Sequence, residues 1–540
     1  MKDIEFNLLD EPWIRVINNK CEVREVSLRW ALLNAHHYSG LKGELPTQDV
    51  AILRILLAVL YRVFLQVDPD GTDIPIQDID QAFERWESLW DYGRIPEEPV
   101  NSYLDQWHER FWLFHTEYPF FQVPAAENGT KYTGAKLNGE LSESSNKLKL
   151  FPVKTGESRE TLSYPEAARW LIYLNAYDDT SSKPKGKNLP SPGAGWLGKL
   201  GLIYPEGNNL FETLILNLAL LKNGEKLWEE GFPIWENEEV RSQERSEIVM
   251  PGNPSALLTL QSRRILLHRQ NGKVDGYSLL GGDFFDRVNA DAEQMTVWIM
   301  KKEKGKPTDE YIPRRHNPAT QMWREFPVLF LKQDVGRRPG IVEWMNALID
   351  EKVFSSEFVR FKIASVQYGD KDFFVTDVYS DGLEFHQGLL DKLAVENSSW
   401  IIRIQDEIKK TEDAARYLNY LEEGLQLAAG NRNLSTTVTE QFFERVDLPF
   451  RRWLRSLDPG RSLMASENLF MEWENTVSRI AINLGRDLVE EAGIVAFSGR
   501  TIEGSDKKAH YYASADAFNV FLYNIRKIYP VKSKEEITDE

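Results

Sequence analysis

Six cations crowd one short stretch of the chain, Lys301, Lys302, Lys304 and Lys306 followed by Arg314 and Arg315, against only Glu303, Asp309 and Glu310. They adjoin the strand-like run Val297-Trp298-Ile299-Met300, so the spacing predicts a hairpin tip that can enter a DNA groove or clamp phosphates. A solvated lysine tip with no ligand fits the same residues. Upstream, Phe151 sits among Lys147, Lys149 and Lys154 in a segment of Ser, Asn and Gly, which pairs a ring able to stack or wedge with phosphate-seeking cations. Phe151 suits the role of a buried loop anchor equally. A third basic stretch holds Lys183, Lys185, Lys187 and Lys199 among prolines and glycines, with no acidic residue between Asp179 and Glu206, and reads as an exposed cationic loop. Arg451, Arg452 and Arg455 lie on one helix and can either track a nucleic-acid strand or line an outer helix face.

The residues that could support catalysis are less well arranged. Gly193-Ala194-Gly195-Trp196-Leu197-Gly198 matches the spacing of a dinucleotide loop, but Pro190 and Pro192 stand where a strand must precede it. Leu200 follows Lys199 where a P-loop needs Ser or Thr on magnesium, so the run reads as a structural or DNA-facing turn. The eight histidines form no HExxH pattern, and with Cys21 as the single cysteine no zinc site is expected. His108 and His115, seven apart on an expected helix, read as ordinary core or surface residues. There is no GxSxG elbow, and Cys21 has no adjacent base. Carboxylate pairs such as Asp178-Asp179 and Glu490-Glu491 are unremarkable among 83 acidic residues. The reading is therefore of no catalytic residue, no metal and no cofactor.

Elements that position these residues follow from periodicity. A hairpin is expected over Phe6 to Leu28 across the turn Asn18-Asn19, with Ser27 capping the next helix. Thr47 can cap a helix whose apolar face carries Ile52, Ile55, Leu56, Val59, Leu60 and Val63. Further helices are expected at 79–91, 102–115, 164–176 and 209–222, then strands at 297–300, 328–331 and 373–378. Beyond about residue 385 the period is helical, with Leu469, Trp473, Val477, Ile480, Leu484 and Leu488 on one stripe, and the pattern predicts a bundle of four helices. The fold class is α+β: a large mixed α/β domain over 1–382 and a C-terminal four-helix bundle over 383–540.

At 540 residues the chain has room for about two to four domains. Its 65 Lys and Arg against 83 Asp and Glu give a net charge of −18, which excludes a protein that coats nucleic acid through its overall field. One cysteine allows no internal disulfide, and the start shows no secretory signal pattern, so a cytoplasmic location is expected. The longest apolar run, Val50 to Val67, carries Arg54 and Arg62 and suits a core helix rather than a membrane span.

Four phrases, in order, resemble one family. Phe6-Asn7-Leu8-Leu9-Asp10-Glu11-Pro12-Trp13-Ile14-Arg15-Val16, Tyr118-Pro119-Phe120-Phe121-Gln122, Phe211-Glu212-Thr213-Leu214-Ile215-Leu216-Asn217-Leu218 and Gln261-Ser262-Arg263-Arg264-Ile265 are similar to the CasA family, the large subunit of the type I-E CRISPR surveillance complex Cascade. The resemblance spans nearly the whole chain. It implies a non-enzymatic subunit near the 5′ handle of the crRNA that recognises the protospacer-adjacent motif (PAM) in double-stranded DNA from the minor groove. It also implies that the subunit starts strand separation and helps recruit the helicase-nuclease, with the other Cascade subunits as partners.

By position, the resemblance puts the family's aromatic loop at Leu150-Phe151-Pro152-Val153 and its minor-groove lysines at 301–306, with Lys302 and Lys304 foremost. It puts the family's glycine loop at 177–189, where Gly186 is the glycine available, and the PAM wedge at Tyr368-Gly369-Asp370-Lys371-Asp372-Phe373. Asp372 stands where the family has glutamine, which favours Lys371 or Phe373 as the unstacking group. The DNA-binding candidates are thus Lys147, Lys149, Phe151, Lys154, Lys183, Lys185, Lys187, Lys301, Lys302, Lys304, Lys371, Asp372 and Phe373. Two other readings stand beside this one: a metal-dependent hydrolase or nuclease built on carboxylates, and a scaffold that binds protein alone.

Overall fold

The structure, a computed structural model, describes residues 4–142, 147–148, 153–179, 193–240, 250–285, 287–288, 290–330, 336–369, 372, 374–390, 399–431, 434–503 and 509–530. Two compact units divide the chain: Met1–Met322 with Val328–Gly382, and Trp323–Pro327 with Leu383–Glu540.

The first unit is organised around the helix Pro46–Phe64, which is buried on nearly every side rather than on one face. It contacts the helices Tyr164–Tyr177 and Pro254–Leu258. Such a position tolerates Arg54 because Glu293, equally buried, accepts from both its terminal nitrogens at 2.8 Å, leaving neither charge alone in the core. Pro46 occupies the first turn and Leu45 the cap position, so Thr47 is a buried helical residue and not the cap expected for it. Ser27 does cap its helix, accepting from the Trp30 amide at 3.2 Å.

Small sheets surround these helices. Arg263–Gln270 and Lys273–Gly281 form a hairpin whose turn, Asn271 and Gly272 at φ 52° and 75°, has the paired positive φ of a tight two-residue turn. Phe358–Tyr368 lies between Leu202–Pro205 and Val375–His386. At the chain start, Ile14–Asn18 pairs with Val23–Val26 as expected, but Glu5–Asn7 pairs instead with Trp112–Phe114. That partner overturns part of the expected helix at 102–115. The helix is Glu97–Gln106, and His108 and His115 therefore share no helical face. The helix expected at 209–222 is Leu210–Leu216, because Asn217 turns its amide back onto the Pro205 and Thr213 carbonyls at 2.7 Å each. The apolar run 328–331, expected as a strand, falls largely in a 3₁₀ stretch, Met322–Phe330.

In the second unit the helices Ser399–Ala429, Val438–Ser456, Leu463–Ser498 and Ser514–Ile528 pack on one another. Phe450, Trp453, Phe470 and Trp473 interlock there, Trp453 stacked on Trp473 with ring centres 5.2 Å apart. A short hairpin, Arg500–Glu503 with Ala509–Tyr512, interrupts the helical pattern. Among the described residues no helix is long and apolar enough to cross a membrane.

Candidate nucleic-acid interface

The cationic run 301–306 forms the hairpin expected of it. Trp298–Glu303 pairs with Lys306–Pro313, and Lys304 and Gly305 turn the chain at φ 50° and 82°. Glycine meets that requirement freely, and Lys304 is exposed at the tip. The register slips between Met300 and Lys302, setting Lys301 against the bulged residues Thr308 to Glu310. Lys301 consequently spends its charge within the hairpin, 2.6 Å from Glu310 and 3.2 Å from Glu303, and these hydrogen bonds raise its pKa. Lys302, Lys304 and Lys306 are exposed and form no ion pair with a described residue.

The strand from this tip ends at Pro313, and Arg314 and Arg315 follow directly. At roughly 3.3 Å per residue the Lys306–Pro313 strand separates tip from base by about 25 Å, or some seven base-pair steps. At the base, Arg315 donates two bonds to Asp372, at 2.8 and 3.0 Å, and a third to the Gly198 carbonyl at 2.6 Å. The Asp372 carboxylate is thus bound to a guanidinium of its own chain. Its backbone is left-handed at φ 60°, inside a turn closed by Gly369 N–H donating to the Phe374 carbonyl at 2.8 Å. Tyr368 anchors that turn by donating its buried hydroxyl to the Tyr177 carbonyl at 2.7 Å.

The Gly193–Gly198 run is a packed structural turn. A side chain on Gly195 would strike the Ala176 carbonyl, and one on Gly198 would strike the Tyr368 hydroxyl. Trp196 donates from its ring to Glu293 at 2.9 Å. Lys199 ends this turn as a largely buried amine, pushed down to about 8 first by burial and then by Arg263, Arg287 and Arg315. The structure thereby gathers cations from distant stretches of chain. Arg287 is exposed, and composition gave no sign of it because it stands alone in sequence, next to an acidic neighbour, Asp286.

Arg263, buried at 1% exposure, holds both ends of the basic stretch 180–192. It donates to the Asp178 carboxylate at 2.6 Å, to the Asp179 carbonyl at 3.1 Å and to the Gly193 carbonyl. Lys183, Lys185 and Lys187 themselves lie outside the described residues, as do Lys149, Phe151, Lys371 and Phe373. Lys147 lies on the strand Lys147–Leu148, which pairs with Leu141–Ser142. Beyond Phe151, the Val153 amide donates to the buried Glu140 carboxylate at 3.2 Å, and Lys154 is ion-paired with Glu166. Lys154 therefore anchors its loop internally. In the second unit Arg451 pairs with Asp447 at 3.0 Å and Arg455 with Glu384 at 2.8 Å. Among the described residues no three His, Cys, Asp or Glu side chains are placed to hold a metal ion.

Comparison with known proteins gives a consistent picture. The model of the family described as CRISPR-associated protein Cse1 matches residues 7–484. A CRISPR-associated CasA/Cse1 protein of Thermus thermophilus is 27% identical over 412 residues, 75% of this chain and 76% of that one. The crystal structure of Thermobifida fusca Cse1 is 27% identical and superposes with a TM-score of 0.81, covering 98% of this chain and 99% of that one. A chain from a structure described as a CRISPR RNA-guided surveillance complex shares the fold, with 17% identity, a TM-score of 0.71 and coverage of 96% and 99%.

Proposed function

The chain belongs to the CRISPR-associated Cse1 family, and on that premise we propose that it is the non-catalytic large subunit of a CRISPR RNA-guided surveillance complex, which recognises the PAM in double-stranded DNA and starts strand separation. The observation that carries the proposal is the hairpin of 298–313, where Lys302, Lys304 and Lys306 stand exposed and, among the described residues, without ion pairs on a chain of net charge −18. A two-stranded tip of lysines suits a narrow groove, whose hydrogen-bond pattern is degenerate. Contacts there tolerate several motif sequences and reject a guanine amino group in the wrong place.

The turn at 368–374 acts as the wedge. Since Asp372 is held by Arg315, its carboxylate serves to fix the turn, and unstacking falls to Lys371 or Phe373. Opening costs a few kcal/mol per unstacked step, offset by the groove contacts and then by guide pairing. The Phe151 loop, with Lys147 and Lys149, contacts the guide RNA's 5′ handle. Lys183, Lys185 and Lys187 hold the duplex backbone. The helical unit flanks the displaced strand and docks the helicase-nuclease. Neither a metal nor a cofactor takes part in the proposed steps of this subunit. Fidelity is delegated to base pairing, and an acidic subunit depends on its partner subunits to stay on DNA.

The test compares complexes assembled with and without the chain on two targets, an intact duplex bearing the motif and the same target with the guide-paired region held open by mismatches. The chain should strengthen binding to the intact duplex about tenfold or more and add far less on the open target. An equal gain on both targets contradicts a role in opening.

A further inference from the structure

We infer that Lys199, together with Arg315 and Arg287, seats one backbone phosphate of a nucleic acid at the base of the 298–313 hairpin. Bonds to a single turn bring the cations together. Arg315 donates to the Gly198 carbonyl at 2.6 Å, directly before Lys199, and Arg263 donates to the Gly193 carbonyl at the other end of the turn. The Lys199 side chain folds back over Gly193, so that a Cβ added to the glycine would lie 3.7 Å from Cε and 3.8 Å from Nζ. Lys199 as a residue is half-buried and Arg287 is exposed, while the Arg315 and Asp372 side chains keep 32% and 34% of their surface, so an anion can reach the cluster from solvent.

Positive charge is in excess there. Arg263 is balanced by the buried Asp178 at 2.6 Å and Arg315 by Asp372, but Lys199 and Arg287 form no ion pair with a described residue. Burial is the first cause that holds the Lys199 amine down at about 8, Arg263, Arg287 and Arg315 follow, and Asp372 pulls the other way without cancelling them. A folded pKa below the ordinary 10.5 means that the charge opposes folding fully below about 8, a cost that disappears only as pH rises from there toward 10.5. An ammonium kept at that cost, with no ion pair among the described residues, suits an anion that arrives from outside. Two guanidinium groups and an ammonium match a tetrahedral oxyanion, which accepts from several donors at once. Asp372 already shows the contact, its two oxygens taking the paired bonds from Arg315 that a phosphate takes.

The choice of a nucleic-acid phosphate over the carboxylate of an acidic protein rests on the proposed function and deepens it. Arg315 follows the last residue of the lysine hairpin by two positions, and Asp372 belongs to the turn proposed as the wedge. At roughly 3.3 Å per residue, the Lys306–Pro313 strand sets the seat about 25 Å from the lysine tip, so tip and seat hold different phosphates. The seat thereby fixes the backbone beside the step that opens.

The experiment uses the assembled complex, with single methylphosphonate linkages, which are neutral, placed along either strand of a motif-bearing duplex in one arm and along the guide RNA in the other. Binding is measured with the parent chain, Lys199→Met and Arg287→Gln. At one linkage, or two adjacent ones, neutralisation should weaken the parent complex about tenfold and the Lys199→Met complex about twofold or less, because that contact is already gone. The arm that responds identifies the strand. Arg287→Gln, at an exposed position, should blunt the effect of the same linkage in part and keeps the comparison open should Lys199→Met fail to fold. Lys199→Met should melt at the parent's temperature or above it at pH 7, since it removes a charge that burial and three guanidinium groups disfavour. Linkages that weaken parent and variant complexes equally overturn the seat, and equal sensitivity joined to weaker assembly of the variants assigns the cluster to a protein carboxylate instead. In either case, linkages whose effect is lost in Lys304→Ala leave the proposed function standing. No duplex linkage that depends on Lys199, Arg287 or Lys304 overturns both.

Discussion

Which lysines are free to meet phosphate is decided by the carboxylates beside them. Lys301 is held by Glu310 and Glu303, and Lys154 by Glu166, whereas Lys302, Lys304 and Lys306 form no ion pair with a described residue. Lys301→Ala should therefore leave the salt dependence of duplex binding by the complex nearly unchanged, while Lys304→Ala should flatten the log–log slope by about 0.9, as measured by titration across salt concentrations. Asp372 supplies a second prediction at this scale. Asp372→Asn weakens the clasp on Arg315 and removes one negative charge from the proposed wedge, so duplex affinity at low salt should rise severalfold and the gain should fade as salt is added. Part of this was legible beforehand: the sequence displays the cations, and the excess of lysine over acid at 301–306 is plain. Pairing was not, because Lys301 meets Glu310 only through a register slip, and Arg315 meets Asp372 only through tertiary packing 57 positions apart.

At the scale of elements, Arg263 and Gly198 fasten the segments that carry the candidate contacts. Arg263→Met leaves the Asp178 carboxylate buried beside an apolar side chain and should cost about 3–5 kcal/mol in denaturant unfolding. Adding Asp178→Asn should restore part of that loss, since it removes the buried charge that Arg263 balances. Gly198→Ala drives a methyl group into the Tyr368 hydroxyl and should cost about 1–3 kcal/mol, with the turn closed by Gly369 and Phe374 the first region to lose hydrogen-exchange protection. Helices with strong local signals were readable, among them Pro46–Phe64 with its apolar run and Leu28–Leu33 with its serine cap. Short strands were harder to foresee. Glu5–Asn7 is a strand because Trp112–Phe114 lies beside it, and the period of three residues carries no such information. Leu329 and Phe330 are buried in a 3₁₀ stretch, and burial alone does not distinguish a strand from a 3₁₀ turn.

Across the whole molecule, the two units respond to the medium through different groups. In the helical unit, burial is the first cause that pushes Glu407 up to about 7, with Glu474 adding to it against the pull of Lys410 and Arg403. A folded pKa above the ordinary 4.5 means that Glu407 contributes stability fully present below about 4.5 and lost as pH rises through about 7. Glu407→Gln should therefore gain on the parent protein as pH rises from 5 to about 8, and the melting transition of the helical unit reads that difference directly. Net charge matters more for function than for folding. A body at −18 repels DNA everywhere except where local cations stand clear of their own carboxylates, so the weight of the account falls on one hairpin. The decisive measurement is the salt dependence of PAM-bearing duplex binding by complexes carrying either the parent chain or the Lys302→Ala, Lys304→Ala, Lys306→Ala triple variant. The account predicts a log–log slope shallower by about 2.7 in the variant, with most of the preference for the motif gone. An unchanged slope with the preference intact contradicts it.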